Sequence, residues 1–494
     1  MTQLPAFLPV RTSNPVPVFT YLTGLVYMGL GSVMGLHFLA CLVLGEDALG
    51  FGVGALVGIA LGYLLYQMGT PQAEPRRAES LFTVATLWIL VPILGAVPFW
   101  LSGGLSYLDA LFEATSGFST TGATILEDFQ QFGHTLFFWR SLTQWFGGMG
   151  ILLLFIVVLP HLALAGRQMF FAETTGVQKQ QLTPKLRQTA TAILRVYLVL
   201  SAFTLTAYLL LGMPLFEAVC NTFSTVSAGG FSPNPQSFAT YGPMVHWVGA
   251  VVMFLTGVNL LLQAKVLFGG EVRAPFRDPE FRTYAVIVFG VTLVLTGILF
   301  FRHDYGLEGS LRSAFFQTTS IITGTGFASV DFALWVVPAQ VLLVMLMFVG
   351  GSAGSVGGSV KVIRWLVIGA LIKREMQRAL HPNAVLPLRI GNKNLSEDIL
   401  RAVSAFVALY VLIFALGVLV LGVLEENFVT AFTASAAAIA NVGPGLGEVG
   451  PMAHYGDLHA PSKLVMIVQM WAGRIEIIAV VALLTPELWR RLRN

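Results

Sequence analysis

Four short apolar segments in this chain each lie between two longer ones, and each leads into a glycine with small or hydroxyl-bearing neighbours. The short segments cover about residues 107–117, 214–225, 310–321 and 427–439. The glycines that follow them are Gly122, Gly230, Gly326 and Gly443, which recur at intervals of similar length. Such a repeat indicates four related structural units joined in one chain.

Composition restricts where those units can fold. Of 494 residues, 55% are hydrophobic and only 11% are charged, whereas a soluble domain carries about 25% charged residues. The sequence therefore predicts a membrane protein with several spanning helices. Its two cysteines, Cys41 and Cys220, lie in apolar context and favour neither a disulfide framework nor a zinc site.

Ten segments are long enough to cross a bilayer, which needs about 20 apolar residues per helix. They cover about 17–44, 49–68, 80–101, 136–160, 190–212, 243–268, 282–301, 335–372 (interrupted), 398–424 and 462–485. With ten spans, both termini lie on one side of the membrane. That side holds all but five of the 28 Lys and Arg residues, so the positive-inside rule predicts that it is cytoplasmic.

The four short segments are predicted to be re-entrant helices, because non-helical backbone at membrane depth must be buried in protein or line water. Weak helices in loops outside the membrane are the alternative. The first interpretation predicts an all-α polytopic membrane protein: four covalently linked helix–pore loop–helix repeats in pseudo-fourfold arrangement, plus two N-terminal transmembrane helices. The two-helix region is predicted over 1–72, and repeats 1 to 4 over 73–165, 166–270, 271–380 and 381–494.

All four glycine sites then face the outside, where they have the chemistry of a cation pathway. A dehydrated cation needs oxygen dipoles, and backbone carbonyls supply them where glycine permits unusual dihedral angles. The candidate filter residues are Thr120, Thr121, Gly122, Ala228, Gly229, Gly230, Thr325, Gly326, Asn441, Val442 and Gly443. Nearby hydroxyl groups, including those of Thr120, Thr121, Ser227, Thr323 and Thr325, would add oxygens. Acidic residues of the outer connections, Glu113 and Glu217 among them, would attract cations.

Two other classes of membrane protein fit the sequence less well. A coupled secondary transporter with inverted repeats also has internal symmetry, but it does not predict four re-entrant segments open to one side. An intramembrane enzyme needs a paired nucleophile and base or clustered metal ligands, whereas His37, His161 and His246 are scattered. We therefore expect a transport protein and not an enzyme. Channel-like transport and proton- or sodium-coupled transport both fit the sequence.

Several motifs make the transport interpretation more specific. They are Gln144–Gly150 (QWFGGMG), Gly350–Arg364 (GGSAGSVGGSVKVIR), Gly443–Gly447 (GPGLG) and Gly473–Glu476 (GRIE). Together with the four glycine sites, they resemble the TrkH subunits of bacterial Trk potassium-uptake systems, within the Trk/Ktr/HKT superfamily, over essentially the whole chain. The resemblance implies potassium uptake across the bacterial inner membrane, with rubidium also passing and sodium passing less well.

The same resemblance implies partners. It implies a homodimer in the lipid bilayer with one pore in each protomer. It also implies a cytosolic regulatory partner, the RCK-type TrkA subunit, which would itself bind the nucleotide. Potassium is then the transported ion, and neither an organic cofactor nor a nucleic acid is expected on this chain.

Two elements resemble a gate in that family. The first is an intramembrane loop over 350–359, formed with Gly350, Gly351, Gly354, Gly357 and Gly358; a helix crossing through small residues is the alternative. The second is Arg474, a charge in an apolar span. It would form a barrier to cations in the pore, or else pair with a pore-loop carbonyl. Glu476 follows two residues later, and Lys361 and Arg364 are interpreted as marking the cytoplasmic boundary.

Overall fold

The computed structural model describes residues 16–70, 77–158, 182–383, 386–391, 393–475 and 477–493. The helices, in chain order α1 to α20, are Val16–Leu44, Leu49–Met68, Arg77–Gly95, Val97–Leu101, Tyr107–Phe118, His134–Val158, Leu182–Leu210, Leu215–Val226, Pro243–Thr256, Leu260–Gly269, Ala274–Arg277, Pro279–Arg302, Gly306–Thr323, Val337–Met347, Val362–Leu380, Glu397–Glu425, Phe428–Ala440, Ala460–Arg474, Ile477–Leu484 and Pro486–Arg493. Two short strands, β1 (Arg389–Ile390) and β2 (Lys393–Asn394), pair antiparallel. Glu476 lies outside the described residues.

Six helices in the described part of the chain are long and apolar enough to cross a membrane. They are Val18–Leu44, Leu49–Met68, Glu79–Leu101, Gln188–Leu210, Pro279–Arg302 and Glu397–Glu425. Each coincides with one of the ten predicted spans, and α6 occupies a seventh. The chain is therefore an integral membrane protein whose remaining three predicted spans are broken helices.

The breaks have local causes. The predicted span 243–268 consists of α9 and α10, which meet at an angle of 103°. Asn259 starts the second helix, because its Oδ1 accepts hydrogen bonds from the amides of Leu261 (2.8 Å) and Leu262 (3.2 Å). The span 335–372 is divided into α14 and α15 around the glycine-rich segment, as its interruption predicted.

The four short segments are helices, as predicted: α5, α8, α13 and α17. Most residues in their C-terminal halves are buried inside the protein. That burial matches the requirement that a chain turning back at membrane depth be surrounded by protein. Helix α13 is longer than predicted, since it begins at Gly306.

Packing between repeats follows one cyclic order. The helix that follows each glycine packs against the re-entrant helix of the next repeat: α6 on α8, α9 on α13, α14 on α17, and α18 on α5. The last of these contacts joins repeat 4 to repeat 1 and closes the ring. The repeats are therefore related by rotation about one axis, and the pseudo-fourfold fold class is confirmed.

The two N-terminal helices, α1 and α2, pack closely on one another and against α3. Glycines bring the two backbones together: a Cβ added at Gly31 would lie 2.8 Å from the Ile59 amide nitrogen and 3.1 Å from the Ala55 carbonyl oxygen. Gly58 has the reciprocal contact, 2.8 Å from Gly31 Cα. Small residues at such crossings provide van der Waals contact in lipid, where the hydrophobic effect between helices is absent.

We expect Gly31→Val to separate α1 from α2 and to lower stability by about 1–3 kcal/mol, the usual cost of overpacking. Thermal unfolding of the detergent-solubilised protein measures this effect. Gly29→Val is the matched control, because a Cβ at Gly29 meets nothing within 4 Å. Equal unfolding temperatures for the two variants would contradict the close-packing explanation.

Candidate functional site

Each re-entrant helix ends in the same backbone conformation. The residue two positions before each repeat glycine is left-handed: Thr120 (φ 53°), Ala228 (54°), Gly324 (78°) and Asn441 (53°). The repeat glycines are left-handed too: Gly122 (82°), Gly230 (80°), Gly326 (75°) and Gly443 (96°). The residue between each pair does not have a positive φ. Alternation of this kind turns successive carbonyls toward the same side, as a carbonyl-lined cation site requires.

The four segments form a closed ring of backbone contacts. A Cβ added at Gly122 would lie 2.2 Å from the carbonyl oxygen of Gly229 in the next repeat. The same construction gives 1.9 Å from Gly230 to Thr325, 1.9 Å from Gly326 to Val442, and 2.6 Å from Gly443 back to Thr121. No side chain fits at these positions. The structure thus brings together, around one axis, all the residues that the sequence singled out as candidate filter residues.

The hydroxyl groups of the ring bond mainly to protein. Thr121 Oγ1 lies 2.7 Å from Ser119 Oγ and accepts from Asn441 Nδ2 at 2.9 Å, which links repeat 1 to repeat 4. Thr325 Oγ1 lies 2.7 Å from Thr323 Oγ1, and Ser227 Oγ donates to the Ser224 carbonyl. Thr120 Oγ1 is buried without a partner among the described residues. The carbonyls are therefore the main oxygens available to an ion.

Two acids that were expected at the outer mouth are engaged with protein groups. Glu113 is fully buried and pairs with Arg140, with Oε1 2.5 Å from Nε. Glu217 accepts a hydrogen bond from the Tyr241 hydroxyl at 2.5 Å. Glu113 is consequently a structural group behind the ring, and its expected role as a mouth charge is wrong.

The glycine-rich segment between α14 and α15 passes directly beneath the ring. A Cβ added at Gly357 would lie 2.1 Å from the Thr323 carbonyl oxygen, and one at Gly358 would lie 2.6 Å from that of Ala440. Gly350 and Gly351 are in equally close contact, with the carbonyls of Gly358 (2.6 Å) and Gly257 (2.8 Å). Irregular backbone, and not a helix crossing, occupies this place.

This segment also satisfies the backbone groups left free where α9 breaks from α10. The Ser352 amide donates to the Gly257 carbonyl (2.8 Å), and the Leu260 amide donates to the Gly354 carbonyl (3.1 Å). The Val356 amide adds a bond to the Thr256 carbonyl (3.3 Å). The bend in repeat 2 and the loop in repeat 3 are therefore one interlocked unit, which is why a broken helix is stable there.

Arg474 fastens the loop on its other side. The residue is 3% exposed; its Nη1 donates to the Val356 carbonyl at 3.0 Å and its Nη2 donates to the Gly147 carbonyl at 3.2 Å. Arg474 therefore bonds to carbonyls of the glycine-rich loop and of α6, and these bonds do not reproduce the pore-loop carbonyl partner that was the alternative interpretation. The guanidinium joins the loop of repeat 3 to α6 of repeat 1.

Arg474 also occupies a position that is glycine in the other three repeats. Close contacts set the register, because a Cβ at Gly148 would touch Ser227 and one at Gly257 would touch Thr323, each three residues before a ring glycine. Gly147 and Gly473 also correspond, because a Cβ at either would lie close to the carbonyl oxygen four residues before its own ring glycine (Phe118, 2.1 Å; Ile439, 2.0 Å), so Arg474 is the counterpart of Gly148. In repeat 3 the paired glycines Gly350 and Gly351 match Gly147 and Gly148 in sequence. The fourth repeat therefore places a long cation where the others have no side chain.

Two charged residues that hold the loop were not recognised from the sequence. Glu280 Oε1 accepts from the amides of Ala353 (2.6 Å) and Ile363 (3.2 Å), which lie at opposite ends of the loop. Lys361, expected at the cytoplasmic boundary, is buried and donates to Ser355 Oγ (3.2 Å) and to the Gly357 carbonyl. The only sequence signal for Glu280 is its place, with Asp278, at the start of an apolar span.

Comparison with known proteins places this architecture in a family. The family model described as "TrkH: Cation transport protein" matches residues 53–490. Potassium uptake protein TrkH of Salmonella typhimurium is 34% identical over 478 residues, covering 95% of this chain and 99% of the relative. TrkH of Vibrio parahaemolyticus is 36% identical over 424 residues, covering 84% and 87%. These relatives are named as transport proteins and not as enzymes.

A solved structure agrees. The crystal structure of the potassium transporter TrkH from Vibrio parahaemolyticus superimposes with a TM-score of 0.87 at 32% identity. The match covers 96% of this chain and 99% of that one. The resemblance seen in the motifs is confirmed, and this chain belongs to the TrkH family of cation transport proteins.

Proposed function

We propose that this protein takes up potassium across the bacterial inner membrane through the ring of four re-entrant segments. The closed circuit of glycine-to-carbonyl contacts supports the proposal most directly, since it gathers backbone oxygens from all four repeats around one axis. The filter consists of Thr120, Thr121, Gly122, Ala228, Gly229, Gly230, Thr325, Gly326, Asn441, Val442 and Gly443. Their carbonyls replace the water of a dehydrated potassium ion.

The re-entrant helices add electrostatic stabilisation. Each of them ends at the ring, so the partial negative charge of its C-terminus lies near the ion. Rubidium, which is close to potassium in size, passes the same ring, and sodium passes less well. Rotation-related repeats favour a pore over a transporter built from inverted repeats. Both termini lie in the cytoplasm, as the distribution of Lys and Arg predicts.

Flux through the purified protein tests this proposal. In liposomes that contain the full chain, we expect rubidium tracer uptake that excess potassium suppresses and excess sodium suppresses less. Empty liposomes and liposomes with heat-inactivated protein are the controls. Absence of rubidium uptake by folded protein, with and without its regulatory partner, would contradict the proposed function.

Gly326→Ser should weaken the discrimination of potassium from sodium by about tenfold, which corresponds to ~1.4 kcal/mol of relative binding free energy. The new side chain has no space beside the Val442 carbonyl, so the ring must widen or shift. Competition uptake with both ions measures the ratio. Gly270→Ser is the matched control, because Gly270 is also left-handed (φ 69°) but a Cβ there meets nothing within 4 Å. An unchanged ratio in folded Gly326→Ser would contradict the filter assignment.

We further infer that the loop 350–359, with Gly350, Gly351, Gly354, Gly357 and Gly358, closes the pore below the ring and that Arg474 holds it closed. The bonds from Arg474 to the Val356 and Gly147 carbonyls support this inference. Opening requires the loop to leave the axis, which breaks the first of these bonds. A fixed positive charge at this depth opposes cation passage as well.

Arg474→Ala should raise rubidium flux by at least about tenfold, because a hydrogen bond from a charged group contributes ~1.5–3 kcal/mol and the closed state loses it. Shortening the loop 350–359 should act in the same direction. Arg474→Lys keeps the positive charge but cannot bond to both carbonyls, so it separates the effect of the charge from that of the hydrogen bonds. We expect this variant to have an intermediate flux. Arg312→Ala, at an arginine paired with Glu308 on another surface, is the control. Unchanged or lower flux in folded Arg474→Ala would refute the gate.

We also propose that the protein functions as a homodimer and with a cytosolic RCK-type TrkA partner that carries the nucleotide site. The polar cytoplasmic segments 269–281 and 373–397 support a docking role for this face, and the second of them is basic, with five Lys and Arg residues against two Glu. A third such segment, 161–189, lies largely outside the described residues. Rubidium flux measured with and without the partner tests the regulatory half of this proposal.

A further inference from the structure

A buried ion pair lies behind the ring at the junction of repeats 1 and 2. Glu113 on α5 is fully buried and Arg140 on α6 is 2% exposed, with Glu113 Oε1 2.5 Å from Arg140 Nε. Removing two charges from water is costly, and an apolar pair of similar volume is often equally stable. The ion pair is thus better explained by what it positions than by its contribution to stability.

Each partner holds a segment that leaves the ring. Glu113 accepts from the Ile125 amide (3.0 Å) and from Thr124 Oγ1 (3.0 Å), just after Gly122. Arg140 Nη1 donates to the Ser232 carbonyl (2.9 Å), just after Gly230, and its guanidinium carbon lies 3.5 Å from the centre of the Phe231 ring. The pair therefore fixes the exit of repeat 1 against the exit of repeat 2.

Gln144, one helical turn beyond Arg140 on α6, holds the ring itself. Its Nε2 donates to the Gly229 carbonyl at 2.6 Å, and its Oε1 accepts from the Phe231 amide at 3.0 Å. One side chain thus contacts the backbone on both sides of Gly230. We call Glu113, Arg140 and Gln144 the α6 brace.

The other repeats lack the corresponding α6 groups. In the register set by Gly148, Gly257, Gly351 and Arg474, the counterparts of Arg140 are Gly249, Leu343 and Met466. The counterparts of Gln144 are Met253, Met347 and Met470. The brace therefore acts on one quarter of the ring.

The position of Glu113, nine residues before the ring glycine, shows which part of its role is shared with repeat 3; the counterpart in repeat 4 is Ala434, which has no polar side chain. In repeat 3 it is Gln317, whose amide oxygen accepts from the Ser329 amide at 2.9 Å when the amide is oriented for it. That amide corresponds to Ile125 N. In repeat 2 it is Asn221, whose Oδ1 is buried without a partner in the described chain, since the corresponding residue is Pro233 and has no N–H. An uncharged amide is sufficient for the contact in repeat 3, so the charge in repeat 1 serves Arg140.

We propose that the α6 brace sets the discrimination of potassium from sodium by fixing the Gly229 carbonyl and Gly230 against repeat 1. A carbonyl ring favours the larger ion where it resists contraction around the smaller one, or where the number of its dipoles stays constant. The brace opposes contraction and keeps the number of dipoles constant, because it restrains the Gly229 carbonyl and the backbone that follows it. The three residues are positioning residues, and the inference rests on the proposed potassium uptake.

The test is the double variant Glu113→Gln/Arg140→Met, which removes both charges together. It installs the amide found in repeat 3 and the methionine found in repeat 4, so that no buried charge is left unpaired. In liposomes we expect the ratio of sodium to rubidium uptake to rise by several-fold up to about tenfold. A merely structural loss lowers both fluxes together and leaves this ratio unchanged.

Asp109→Asn/Lys463→Met is the matched control. That ion pair (2.6 Å) also links α5 to another helix, α18, but neither partner bonds to a ring residue. We expect its uptake ratio to equal that of the unmodified protein. A shift equal to that of the brace variant would overturn the inference, because any lost ion pair would then suffice.

Gln144→Met provides a second, charge-neutral variant, with the residue found in the other three repeats. It should raise the same ratio, and it decides the matter if the double variant does not fold. An unchanged ratio in folded brace variants overturns the inference while leaving the proposed function intact. Absence of rubidium uptake by the unmodified protein would instead overturn the proposed function.

Discussion

Four close approaches of backbone to backbone determine the rest of this structure. At each ring glycine the next repeat's carbonyl oxygen occupies the place of a side chain, at 1.9 to 2.6 Å from the position of a Cβ. Contacts this short require all four re-entrant helices to end at the same depth and to turn with the same left-handed geometry. The cyclic packing of each outgoing helix on the next re-entrant helix then follows. The surrounding helices support a ring whose own geometry permits no side chain.

Much of this arrangement was predictable, because its signals are local. Apolar run lengths predicted α1, α2 and α12 as spans, and short runs before glycines predicted α5, α8, α13 and α17. The division of the chain into repeats at 72, 165, 270 and 380 stays a prediction, as do the assignments of filter and gate residues. The ring nevertheless brings the candidate filter residues together, because a glycine that must be left-handed is visible in a sequence.

Other features depend on contacts between distant residues, which no local pattern reveals. Hydropathy alone assigns 243–268 to a single span, but Asn259 starts a new helix and loop 350–359 satisfies the freed backbone groups. From the sequence alone, Glu113 is one more acid in an outer connection. The structure shows that it pairs with Arg140, 27 residues later. Lys361 and Glu280 look like boundary charges, although both bond to the loop. Long-range polar pairing was thus the main source of error.

The interlocking of α9, α10 and the loop has a consequence for hydration. The carbonyls of Thr256 and Gly257 and the amide of Leu260 have their partners in the loop. In the opening proposed above, the loop moves aside and leaves these groups at membrane depth, where lipid offers no hydrogen bonds. Water must enter to solvate them, so the open state contains more water than the closed state by at least these sites. We therefore expect the resting equilibrium to respond to water activity, with excluded solutes such as sucrose favouring the closed, drier form.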